Sequence, residues 1–234
     1  MLVIAVHKMF YFTIAEGPGA GFIDSTTNLG TGGSHGGEGG VYDEDPFTEV
    51  SNAYGSFTRP LDFGSGGASA RGELGGAGGG IIHVDARRVV NDGSIRANGA
   101  NHEGFGAGGG AGGSILVSAE EIDGSLTGEF AVNGGSGTSG GAGGRMAFYY
   151  DLLNYIGEYN AFGGDFTYGE VDDVMITGQG GAAGTVYRKD QAEDGLKTVS
   201  VYSSEENSVS FDFTVFLLAN NMFCFCSSSF AKRV

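Results

Sequence analysis

Gly109-Gly110-Ala111-Gly112-Gly113-Ser114-Ile115-Leu116-Val117 decides the fold, because its glycine block runs straight into a short apolar burst and the pair recurs along the chain. Upstream, Gly75-Gly76-Ala77-Gly78-Gly79 leads to Ile81-Ile82-His83-Val84, an offset of 34 (109 minus 75). Downstream, Gly140-Gly141-Ala142-Gly143-Gly144 leads to Met146-Ala147-Phe148-Tyr149, an offset of 31 (140 minus 109). A fourth block, Gly180-Gly181-Ala182-Ala183-Gly184, precedes Val186-Tyr187 after a longer step of 40 (180 minus 140). A second marker recurs between these blocks: Gly93-Ser94-Ile95-Arg96-Ala97-Asn98-Gly99, Gly128-Glu129-Phe130-Ala131-Val132-Asn133-Gly134 and Gly157-Glu158-Tyr159-Asn160-Ala161-Phe162-Gly163. Its offsets are 35 (128 minus 93) and 29 (157 minus 128), so two independent markers agree on a period near 30. A fixed period of that size is the signature of a solenoid.

Residue alternation gives the local structure. Phe130 and Val132 fall on one face and Glu129, Ala131 and Asn133 on the other, as Ile95 and Ala97 do opposite Ser94, Arg96 and Asn98. Short β-branched or aromatic runs bounded by turn residues are strands. Turns are expected at Asn91-Asp92-Gly93 and Asp123-Gly124, with glycine supplying φ > 0. One repeat buries too little apolar area to stand alone, whereas parallel stacking of equivalent strands makes a continuous core. The expected inward ladder is Ile81, Val84, Ile95, Ile115, Val117, Phe130, Val132, Met146, Phe148 and Tyr159. The fold class read from the sequence is therefore all-β, a parallel β-helix or solenoid-like stack of short strands with glycine-rich, polyglycine-II-like connecting segments.

Composition agrees with this reading. Glycine makes up 47 of 234 residues, against an average usage of about 7%. A helical protein is hard to support, since each interior glycine costs about 1 kcal/mol against alanine in a helix. Collagen is excluded by the lack of strict glycine at every third position and by only 3 prolines. The content of 40% hydrophobic and 17% charged residues is enough for a core. Without a Cβ, the blocks can pack side by side as extended helices joined laterally through their amides; the plainer reading makes them flexible surface loops. Alanine at Gly110, Gly112 and Gly113 separates the two, being costly in a packed array and nearly neutral in a loop.

The runs at 109–117, 93–99 and Gly181-Ala182-Ala183-Gly184-Thr185-Val186-Tyr187 resemble the glycine-rich β-solenoid repeats of very large extracellular and surface proteins of bacteria, invertebrates and protists. Gly17-Pro18-Gly19-Ala20-Gly21, Gly32-Gly33-Ser34-His35-Gly36-Gly37, Tyr54-Gly55-Ser56-Phe57 and Gly64-Ser65-Gly66-Gly67 are similar to segments that precede such repeats. The resemblance covers about 17–190. It implies a secreted or surface-displayed structural or adhesive region; the partner stays open, with extracellular matrix and glycans as the candidates. It carries over no catalytic, cofactor or metal residues.

The ends depart from the pattern, giving an irregular segment over 1–16, the repeats over 17–190 and a non-repeat tail over 191–234. The opening apolar run is broken by His7 and Lys8, which suits a short strand or a start outside the original reading frame better than a signal peptide. The apolar stretch 213–226 is short for a membrane span of about 20 residues, yet Lys232-Arg233 follows where a cytoplasmic flank would lie. An anchor and an aberrant tail are the two readings, and a membrane partner is expected only under the first. Both cysteines, Cys224 and Cys226, lie in this tail, too close together for an unstrained disulfide. No Asn-x-Ser/Thr sequon occurs.

A formal charge of −16 repels phosphate backbones, so no nucleic-acid partner is expected. Motifs that imitate catalytic signatures arise from glycine density. Gly104-x-Gly106-x-x-Gly109 has no following helix, and neither Gly32-Gly33-Ser34-His35-Gly36 nor Gly137-Thr138-Ser139-Gly140-Gly141 sits in a hydrolase context. His7, His35, His83 and His102 lack metal-ligand spacing, and His83 reads as an outward strand residue. The acidic clusters Tyr42-Asp43-Glu44-Asp45 and Glu170-Val171-Asp172-Asp173 suit calcium by ligand type, but solvated turns explain them more simply. Scattered charges at Asp85, Arg87, Arg96 and Glu129 do not form the converging carboxylates of a glycosidase. The expected function is thus a non-enzymatic structural or adhesive module without cofactor. The alternatives are a polysaccharide-acting β-helix enzyme and a carbohydrate-binding module using Tyr149, Tyr150, Tyr155 and Phe166.

Overall fold

The computed structural model describes residues 16–25, 27–41, 49–102, 104–171, 174–191, 197–201, 211–218 and 221–228. Each glycine block feeds a strand. These are β1 (Ile81–Val90), β3 (Ser114–Gly124), β5 (Arg145–Tyr150) and β10 (Thr185–Asp190). They pair in the order β1-β3-β5-β10, every pair parallel, and β6 (Leu152–Tyr155) continues the pairing along β3. The second marker forms a separate parallel sheet of β2 (Ser94–Arg96), β4 (Glu129–Ala131) and β7 (Glu158–Asn160). Among the described residues every regular element is a strand. β8 (Tyr168–Val171) and β9 (Val174–Thr177) make an antiparallel pair, and β11 (Lys197–Val201) closes the larger sheet by antiparallel pairing with β10. The apolar stretch in the tail falls in β12 (Phe211–Leu218) and β13 (Asn221–Ser228), an antiparallel pair. No described helix is long and apolar enough to cross a membrane.

In the small sheet the register follows the sequence offsets, 35 from Ser94 to Glu129 and 29 from Glu129 to Glu158. The large sheet differs by one residue at its first step. Ile81 pairs with Ser114, an offset of 33 (114 minus 81), where the matched blocks give 34. The six-residue run 75–80 stands beside 108–113 rather than block on block, so Gly80 lies next to Gly113 and Ile81 takes the place of Ser114. A one-residue slip turns every side chain to the opposite face. The inward row therefore starts at Ile82, which joins Ile115, Met146 and Val186, and the expected place of Ile81 in the core is corrected. The rest of the expected ladder lies in or against the core.

That core fills the space between the two sheets. Phe130 and Phe148 are fully buried and meet edge to face at 5.0 Å, while Phe130 stacks on Tyr159 at 6.0 Å. Tyr155 closes the corner, its ring 5.1 Å from Phe130. On the opposite face of the large sheet, His83 shares a row with Leu116, Ala147 and Tyr187, which puts it on the side expected. Of the two expected turns, Gly124 has φ 155°, whereas Gly93 is not among the positive-φ residues. There the Asn91 side chain closes the turn instead, its Oδ1 accepting from the Gly93 amide at 3.2 Å.

The glycine blocks are packed against one another. In the block 108–113 the amides turn to three different neighbours in rotation. Gly108 and Ala111 donate to Ala68 and Ser65, Gly109 and Gly112 to Ser139 and Ala142, and Gly110 and Gly113 to Ala100 and Ala97. The block 140–144 repeats the rotation: Gly140 and Gly143 donate to Gln179 and Ala182, and Gly141 and Gly144 to Gly135 and Val132. Every third residue faces the same neighbour, the periodicity of a backbone with three residues per turn. Residues 30–40 join the array, with Gly33 donating to Gly109 and Gly36 to Gly143. A Cβ added at Gly110 would sit 2.5 Å from the Ala77 carbonyl carbon, and one at Gly112 2.6 Å from that of Val132. Glycine is required here because neighbouring main chains occupy the space of a side chain.

Candidate functional site

The first row of the large sheet is Ile81, Ser114, Arg145 and Thr185, and three of its members are polar. They face a non-repeating segment, residues 49–64, laid across the sheet. Ser114 Oγ donates to the Asp62 carbonyl at 2.6 Å. Arg145, whose guanidinium presents a planar fork of donors, reaches the Tyr54 carbonyl (2.8 Å), Thr185 Oγ1 (3.2 Å) and the His35 carbonyl (3.5 Å). One side chain thus ties together three segments far apart in sequence. Burial pushes the Arg145 guanidinium below its usual range, against the favourable charge of Asp62.

His35 is fully buried within this cluster, its ring 4.8 Å from that of Tyr54. Nδ1 lies 2.7 Å from the Gly112 carbonyl, so Nδ1 carries the proton and Nε2 is the bare nitrogen. Burial lowers its pKa to about 4, the Arg145 charge adding to the shift while Gly112 and Asp62 oppose it. The Tyr54 hydroxyl donates to the Phe63 carbonyl and stands 2.7 Å from Ser65 Oγ, and burial raises its pKa to about 12. Ser65 Oγ in turn accepts from the Gly19 amide at 2.9 Å.

Chemically, this is a set of hydrogen-bonded donors and acceptors around one guanidinium, with the Asp62 carboxylate beside it. A general base needs a pKa near the working pH and a proton within hydrogen-bond reach. His35 has neither. The adjacent Ser34 hydroxyl, the serine of one apparent hydrolase motif, donates to the Ser51 carbonyl (2.5 Å) and accepts from the Gly39 amide (2.9 Å). In the other such motif Ser139 is buried, and Thr138 Oγ1 accepts from the Gly106 amide at 2.6 Å. Gly104, Gly106 and Gly109 precede a strand rather than a helix. Among the described residues no group of three His, Cys, Asp or Glu side chains could hold a metal ion. The acidic clusters at 42–45 and 172–173 lie outside the described residues.

No protein-family model matches the chain, and no curated protein or solved structure matches it.

Three of the four aromatics expected as a platform are engaged in packing. Tyr155 is buried, Tyr150 packs against the core, and Tyr149 packs on Leu116 and Tyr187 while its hydroxyl donates to the Thr58 carbonyl at 2.5 Å. Of the charges that look scattered in the sequence, Arg87, Arg96 and Glu129 meet partners between neighbouring strands. Arg87 pairs with Glu120 at 3.1 Å, Arg88 with Glu121 at 3.1 Å and with Asp123, and Arg96 with Glu129 at 2.6 Å. Although partial burial pushes the Glu129 carboxyl up, hydrogen bonds from Arg96, Asn160 and Ser94 hold it below its usual range. The sequence reading missed this pairing because the partners Arg87–Glu120, Arg88–Glu121 and Arg96–Glu129 are each 33 positions apart. It also missed the His35–Tyr54–Arg145 cluster. The available signal was Arg145 itself, a charged residue where the other three blocks pass directly to Gly80, Ser114 and Thr185.

Proposed function

We propose that this chain is a non-enzymatic structural or adhesive module of a secreted or cell-surface protein. In this reading it is a β-solenoid whose layers are the glycine-led strands, and its glycine blocks are polyglycine-II-like helices. The observation that carries the proposal is the three-way rotation of amide hydrogen bonds through the glycine blocks, combined with in-register parallel pairing of the strands that follow them. A lattice in which main chains lock directly to main chains leaves little freedom for the lids and loops on which catalysis depends. It suits a stiff spacer or display surface. The His35–Arg145 cluster fits the same role, as the clasp that fixes residues 49–64 to the sheet.

Mechanical unfolding of single molecules tests the stiffness. The glycine-rich region should rupture in one cooperative event whose released contour length matches about 17–190. Gradual extension at negligible force would contradict the proposal. Incubation with a panel of polysaccharides tests the enzymatic alternative, and release of reducing ends by the purified chain would overturn the non-enzymatic reading.

A further inference from the structure

The two ends of the large sheet are treated differently. At one end β10 is covered by antiparallel β11. At the other, among the described residues, no strand pairs with the outer edge of β1 or of β2. Edge strands of this kind are templates for another chain unless blocked. This end also leaves its apolar rows unfinished: Ile82 and Ile95 are half-buried where Ile115 and Phe130, one layer in, are fully buried. In a chain of formal charge −16, the same edge carries three arginines, Arg87, Arg88 and Arg96, against two carboxylates, Asp85 and Asp92.

Two ladders show what each layer offers the next. Carboxylates of the second layer (Glu120, Glu121, Asp123 and Glu129) meet those three arginines. Side-chain oxygens of one layer also accept amides of the following one. Asn98 Oδ1 takes the Asn133 amide at 2.8 Å, and Asn133 Oδ1 takes the Phe162 amide at 2.9 Å. In the first layer the amide of Asn98 corresponds to that of Asn133, and among the described residues it has no such acceptor.

We propose that the β1–β2 edge is a docking surface for an acidic strand–turn–strand segment of a partner chain, added in parallel. Its carboxylates would lie over Arg87, Arg88 and Arg96, and its asparagine would accept the Asn98 amide. A second layer with arginines at those positions is excluded by like-charge repulsion. The binding mode is β-augmentation, with the main chain providing attachment and the charged rows providing register. This inference rests on the open edge, its register, charge and unfinished rows, so it stands or falls independently of the structural role proposed above.

The probe is a synthetic peptide with the sequence of Ser114–Asn133, which carries the required carboxylates and asparagine, added to the intact full-length chain. Fluorescence anisotropy should show saturable binding that weakens at least tenfold for the peptide variant E120K/E121K/E129K and several-fold in high salt. Hydrogen exchange should slow at the outward amides of β1 and β2 and at Asn98. Because only the peptide is varied, the fold of the chain is unaffected. No binding at millimolar peptide, equal binding of the lysine variant, or protection confined to β11 would overturn the proposal.

Discussion

Replacing Gly110 by alanine inserts one methyl group into the packed array, and its cost follows from the surrounding main chain. The new Cβ would lie 2.5 Å from the Ala77 carbonyl carbon, where ordinary contacts begin at 3.4 Å. The Ala77 carbonyl oxygen is closer still, so the neighbouring segments must part by about an ångström or more. Overpacking of a rigid interior costs about 1–3 kcal/mol. Parting also weakens the bonds from the Gly110 amide to Ala100 (3.1 Å) and from the Gly135 amide to Gly110 (2.8 Å). Each is worth about 1 kcal/mol net. A loss of about 3 kcal/mol is expected, lowering the melting temperature by roughly 6–12 °C for a chain of this size. Gly93 is the matched control: no atom lies within 4 Å of its added Cβ and its φ is not positive. Gly93→Ala should be neutral or stabilise by up to about 1 kcal/mol, through the unfolded chain. Gly72 separates space from backbone, because its surroundings are equally open but its φ is 83°. Gly72→Ala should cost about 1 kcal/mol. Urea denaturation followed by circular dichroism measures all three. Equal stability of Gly110→Ala and Gly93→Ala would refute the packed array.

Other consequences follow from the core and the clasp. Phe130→Ala should cost about 3–5 kcal/mol in the same assay, since it empties the meeting point of both sheets. Arg145→Lys keeps the charge but loses the fork; amide exchange at residues 54–62 should quicken while the core amides hold, and uniform quickening would count against a local clasp. His35 has a folded pKa of about 4 against an ordinary value of 6.5, so the unfolded chain binds the extra proton between those values. Its contribution to stability is thus complete above about pH 6.5 and declines as pH falls towards 4, by up to about 3 kcal/mol. His35→Asn should remove that part of the slope, and identical pH profiles for the two proteins would contradict the assignment.

How much of this was legible in the sequence depended on the distance over which information had to act. Strand positions were readable, since glycine blocks and apolar alternation are local. The register of the small sheet was equally readable, because its marker repeats without insertion. At β1 a match based on identical blocks is wrong by one residue, because the inward row is begun by Ile82 and not by Ile81: the hydrophobic rows, not the glycines, select the register. The turn at Gly93 was misread because a side chain, Asn91, does the work attributed to glycine. The clasp was invisible, since Arg145 meets His35 across 110 positions and no repeat relates them. Interlayer ion pairs became apparent only once the register was known. Such exposed pairs add about 0–1 kcal/mol each, so their use lies in specifying neighbours more than in stability.

Couplings transmitted through hydrogen bonds, measured by NMR on deuterated protein, read the three-way rotation directly. The amides of Gly108, Gly109 and Gly110 should couple to the carbonyls of Ala68, Ser139 and Ala100 in turn, and should exchange slowly with solvent. Fast exchange without couplings, or all three amides coupled to a single neighbouring segment, would contradict the account.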